Sequence, residues 1–139
     1  MNYNELMEAF AAKYGLPGIK MQDGGIVLDI NGIAVAFMNN EATEAILLHA
    51  VIGAPPPDAD GSISKQMLLA NHALCNAYGT TLCQNPETKE YVAILTFPLI
   101  VATPELLVNA VGNLVAIVSK WKEIFSKNYS EQPLGGFRA

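Results

Sequence analysis

From the N-terminus, the apolar positions Tyr3, Leu6, Met7, Phe10 and Tyr14 recur every three or four residues, the period of one helical face. Asn2 followed by Glu5 has the form of a capping box, so a helix is predicted from about Tyr3 to Tyr14, stopped by Gly15, Pro17 and Gly18. The period then changes to two. Ile26, Leu28 and Ile30 alternate up to Asn31-Gly32, a pair suited to a type I′ turn, and Ile33, Val35 and Phe37 form the return strand. Asn39, Asn40 and Glu41 predict a second turn before a third strand near Ala45 to Ile52. Pro55, Pro56 and Pro57 can neither continue a helix nor donate to a sheet, so Gly53 to Gly61 reads as a loop. A second helix, capped by Ser62 or Ser64 and ending at Gly79, carries two apolar stripes: Ile63, Met67, Ala70 and Leu74 on one side, Leu68, Cys75 and Tyr78 with Asn71 on the other. Strands at Thr81 to Gln84 and Tyr91 to Phe97 flank a polar turn at Asn85 to Lys89. Thr103 as cap and Pro104 in the first turn open a third helix, in which Leu107, Val111, Leu114, Val118, Trp121 and Phe125 recur until about Asn128.

The resulting order, α-β-β-β-α-β-β-α, has antiparallel hairpins and no βαβ unit, which predicts an α+β fold with an antiparallel sheet. Residues 1–129 form one domain and 130–139, with Pro133, Gly135 and Gly136, a flexible C-terminal tail. Several strands are apolar on both faces: Ile33, Val35 and Phe37 point away from Ala34, Ala36 and Met38. Helices can cover one face, and the other calls for a second cover. At 51% hydrophobic and 15% charged residues, the chain is expected to bury part of its surface against another molecule. Its net charge of −5 argues against nucleic acid, and Lys120, Lys122 and Lys127 read as a solvated helix face. Asp29, Asn31, Gly32 and Pro98 interrupt the richest apolar runs, so no membrane span is expected. The first residues have neither the basic flank nor the apolar segment of a secretory signal, which gives a cytoplasmic location.

Candidate chemistry is sparse. Gly15, Gly18, Gly24 and Gly25 match no nucleotide-binding spacing. His49, His72, Cys75 and Cys83 are the only thiol and imidazole groups, and they have no closed-site spacing; Cys75 sits in an apolar stripe and His72 is read as facing solvent. No group orients a Cys-His pair, and Glu87 and Glu90 fall in a polar turn. Asp58 and Asp60 read as a polar loop. The expectation is no enzyme, no metal, no cofactor and no essential thiol.

Certain features occur together: the short first helix with Leu6 and Phe10 before Gly15-Leu16, the meander from Ile26 to Val51, Leu68-Leu69-Ala70-Asn71 before Gly79, Leu82 ahead of a polar hairpin, and a last helix with Leu107, Leu114 and Val118 before Trp121-Lys122. In these the chain resembles the class I type III secretion chaperones, the Tir-chaperone or CesT-like family. It departs from that pattern in the triple proline, in Cys83-Gln84-Asn85 and in the residues beyond Tyr129. The resemblance implies a homodimer that binds the extended N-terminal segment of a secreted effector and keeps it soluble and export-competent. It further implies effector contacts at Leu6, Phe10, Leu28, Val35 and Phe37, and a dimer interface on the second helix at Met67, Leu68, Asn71, Leu74 and Cys75. The residues by themselves also admit a dimeric immunity or regulatory protein with one folded partner, or a small-ligand pocket.

Overall fold

The computed structural model describes residues 2–15, 25–57, 61–77 and 79–131, with the side chains of all but 75–77 and 128–131. Helix α1 spans Tyr3–Tyr14 and begins as its capping box demands. The Asn2 side chain accepts the Glu5 N–H at 2.8 Å, and the Glu5 carboxylate accepts the Asn2 N–H at 3.3 Å. The helix closes on Gly15, whose left-handed backbone returns its N–H to Ala11 and Ala12. Pro17 and Gly18 lie outside the described residues.

The strands are β1 Gly25–Ile30, β2 Ile33–Asn40, β3 Ala45–Gly53, β4 Thr80–Gln84 and β5 Tyr91–Pro98. Asn31 and Gly32 both take positive φ, 54° and 83°, as a two-residue primed turn between β1 and β2 requires. Strand β2 runs on to Asn40, so the second turn falls at Glu41 to Glu44, later than the Asn-rich stretch suggests. The five strands form one antiparallel sheet in the order β1-β2-β3-β5-β4. Strand β5, with Val92, Ala93 and Leu95 buried, is an interior strand between β3 and β4, whereas five-residue β4 exposes Thr81 and Gln84 and sits at the edge.

Helix α2, Ser62–Ala77, lies against β4, and helix α3, Pro104–Glu131, crosses β3 and β5 and meets α1. Thr103 caps α3 through Oγ1, which accepts the Leu106 N–H at 3.0 Å. Ahead of it, Leu99–Val101 forms a short 3-10 turn that the apolar pattern does not predict. Helix α3 passes Asn128 and continues to Glu131; the rest of the expected tail lies outside the described residues.

One face of the sheet holds the core. Cross-strand pairing puts Ile33, Val35 and Phe37 beside Ile46, Leu48, Ala50, Ala93 and Leu95, and the stripes of α1 and α3 close over them. Phe10 packs on Phe37 with ring centroids 5.2 Å apart, and Phe125 meets Tyr91 at 5.5 Å. Tyr3 adds a polar tie: its buried hydroxyl donates to the Phe37 carbonyl at 2.9 Å, and burial pushes its pKa from 10.0 up to about 12. Below pH 10 the phenol keeps its proton in both the folded and the unfolded chain. Between there and about 12 the unfolded chain loses it first, so stability should fall by up to about 1.4 kcal/mol per pH unit. Tyr3→Phe should cost about 1 kcal/mol at neutral pH and abolish this alkaline loss, as read from urea midpoints on either side of the transition.

Candidate partner-binding surface

The second sheet face follows from the same register. Side chains directly opposite each other share a face, so Val27, Ala36, His49, Ile94 and Thr81 form one row across all five strands. Met38, Leu47 and Thr96 form a second row, and Val51, Val92 and Cys83 a third. This face is mostly apolar, yet the stripes of α1 and α3 pack on the other. Val27 keeps 66% of its surface exposed and Met38 37%, while Ala36, Leu47, His49, Val51 and Ile94 are half-buried and Val92, in the third row, is buried. For comparison, the core residues Val35 and Phe37 are fully covered.

Strand β1 bounds this face. Ile30 and Ile33 flank the two-residue turn and form its hydrogen-bonded pair; by alternation, the N–H and C=O of Val27 and Asp29 point away from β2. Among the described residues β1 has a neighbour on that one side only. Among the described residues this edge is therefore unpaired, next to an exposed Val27 side chain.

Two further apolar patches stand out. Leu68 and Leu69 on α2 are 71% and 66% exposed, and Ile100, in the 3-10 turn, is 92% exposed. A groove of about 430 Å³ separates α2 from α3, lined by Ala70, Leu74, Ile117, Lys120 and Trp121 among others.

The expected site residues fall into distinct groups. Leu6, Phe10, Val35 and Phe37 have no accessible surface, because α1 closes over β2, so contact with a partner through them is corrected to a core role. Leu28 is half-buried and pairs with Val35 on the core face. On α2, Met67 is buried, and Leu74 packs against the core while lining the groove. Asn71 is engaged within the chain: its Nδ2 donates to the Leu82 carbonyl at 3.0 Å and its Oδ1 accepts the Leu82 N–H at 2.7 Å. Of the expected interface residues, Leu68 is the one presented to solvent, and the Cys75 side chain lies outside the described residues. Val27, Leu69 and Ile100 were not among the site residues expected from the sequence, although Leu69 belongs to the Leu68-Leu69-Ala70-Asn71 stretch of the family resemblance. For Val27 the signal was present, since Ile26-Val27-Leu28 is continuously apolar and half of such a run must face outward.

The described residues contain no group of three or more His, Cys, Asp or Glu side chains able to hold a metal. Burial raises the pKa of the half-buried Cys83 thiol, which works against thiolate chemistry. Among the described residues, no helix is long and apolar enough to cross a membrane. What the described residues offer is a mostly apolar sheet face bounded by an edge strand that has one neighbour among them.

The model of the Tir chaperone protein (CesT) family matches residues 5–122. The chain belongs to this family. It is therefore a type III secretion chaperone and not an enzyme. Solved structures agree on the fold. The HopA1–SchA chaperone–effector complex aligns with a TM-score of 0.76 at 19% identity, covering 87% of this chain and 93% of that one. The ExsC–ExsE complex gives 0.77 at 17% identity, covering 90% and 97%. The Yersinia pestis type III secretion chaperone SycH, in complex with a stable fragment of YscM2, gives 0.70 at 14% identity, covering 86% and 99%. No curated protein matches the chain. For this CesT-family chaperone the α-β-β-β-α-β-β-α order read from the sequence is borne out.

Proposed function

We propose that this chaperone works in the cytoplasm as a homodimer and holds the N-terminal region of a secreted effector as an extended chain. The segment lies across the uncovered sheet face and against the open edge of β1. The observation that carries this reading is the apolar row led by Val27, 66% exposed beside a strand edge that is unpaired among the described residues. An extended peptide gains its backbone hydrogen bonds from such an edge and its side-chain contacts from the adjoining face. Apolar contact contributes about 25 cal/mol per Å² covered, so a few side chains supply useful affinity without a strict sequence code. Effector contact is thereby moved from the core residues Leu6, Phe10, Val35 and Phe37 to Val27, Met38 and their row neighbours. Subunit contact is assigned to the exposed Leu68 and Leu69 of α2.

Purification from the native host tests the reading. A secreted protein should co-purify, and deleting its N-terminal region should end capture. A partner held equally well without that region would refute it, and would favour an immunity or regulatory protein that recognises a folded surface.

A further inference from the structure

Strand β4 is the other end of the sheet, and its edge is not open. Leu82 lies at the middle of Thr80–Gln84 and pairs with Ala93, yet both its backbone groups are spent on the side chain of Asn71. In an antiparallel strand one residue's N–H and C=O point the same way, so those of Leu82 face outward, away from β5. A carboxamide has the donor and acceptor of a peptide group in the same relative geometry. Asn71 thus occupies the position a sixth strand would take, at distances of 3.0 and 2.7 Å. It comes from the inward side of α2, one turn from the buried Met67, while Leu68 and Leu69 point outward.

We propose that Asn71 is an edge lock: its carboxamide closes β4 to strand addition, leaving β1 as the edge an extended partner can use, and fixes α2 so that Leu68 and Leu69 face outward. The assignment of β1 to the partner rests on the function proposed above; the lock does not. An aliphatic residue at position 71 would pack as well as asparagine on an inward helical face, but would leave Leu82 open to a further strand.

The test compares Asn71→Leu and Asn71→Asp with the parent, using hydrogen exchange at individual amides and light scattering over a range of concentrations. In Asn71→Leu, protection of the Leu82 amide should fall about tenfold. The amides of Thr81 and Cys83, which face β5, should keep theirs, and species larger than the parent assembly should appear as the freed edges pair. Asn71→Asp supplies a signature that a merely space-filling role would not give. As a carboxylate it accepts from the Leu82 N–H but has nothing to donate to the carbonyl; once protonated it does both. Its stability deficit against the parent should therefore shrink as pH falls through the carboxyl's raised titration, with no such recovery in Asn71→Leu. Unchanged Leu82 protection, or an unchanged assembly size, in folded Asn71→Leu would overturn the lock, as would an Asn71→Asp deficit that does not depend on pH. None of these readouts involves a partner, so loss of the effector reading would leave them intact.

Discussion

Phe37→Ala should remove about 3–5 kcal/mol of folding stability, a large share of what a domain of this size possesses. The side chain has no accessible surface, and its ring contacts Phe10, so truncation leaves a cavity between α1 and β2 that neither rigid element can collapse into. Phe10→Ala should cost nearly as much for the same reason. The two losses should not add, because each ring is part of the other's environment. Urea denaturation followed by circular dichroism measures both. The inference for function is negative: any loss of partner binding in these variants should track the unfolded fraction. A Phe37→Ala protein that kept parental stability but lost its partner would return this residue to the binding surface.

The second large effect concerns assembly. Leu68→Glu combined with Leu69→Glu should leave the fold intact, since both side chains already stand in solvent, yet should separate the subunits of the proposed homodimer. In a two-fold dimer each substitution counts twice, and burying unpaired carboxylates in an apolar contact costs several kcal/mol. Light scattering should fall from about twice the 14.9 kDa chain mass to that mass. A double variant that keeps the parental mass would move the interface elsewhere, with the exposed Ile100 turn as the next candidate.

Much of this architecture can be read in the chain because local signals decide it. The Asn2–Glu5 box, the Asn31-Gly32 turn and Thr103 ahead of Pro104 each fix an element boundary through a contact between neighbours in sequence. Strand order is different in kind. That β5 rather than β4 pairs with β3 depends on which strand has enough apolar side chains for an interior place, a comparison between distant segments. The site was half legible for a similar reason. Alternation in β2 shows that Val35 and Ala36 point opposite ways, but not which side the helices will cover; the larger Ile33, Val35 and Phe37 won that side and became core. Asn71 was legible as an oddity in an apolar stripe, whereas its partner, the Leu82 backbone, carries no side-chain signal at all.

The most direct measurement of the central claim is calorimetric titration of the chaperone with the N-terminal fragment of its co-purified effector, comparing the parent with Val27→Asp combined with Met38→Asp. Both residues are exposed, so the variant should keep the parental circular dichroism and assembly mass. Each substitution puts a charge where an apolar side chain should dock, so affinity should fall at least about a hundredfold, close to 3 kcal/mol. A folded, correctly assembled variant that binds the fragment as tightly as the parent would contradict the account, because the uncovered face of the sheet would then not be where the effector lies.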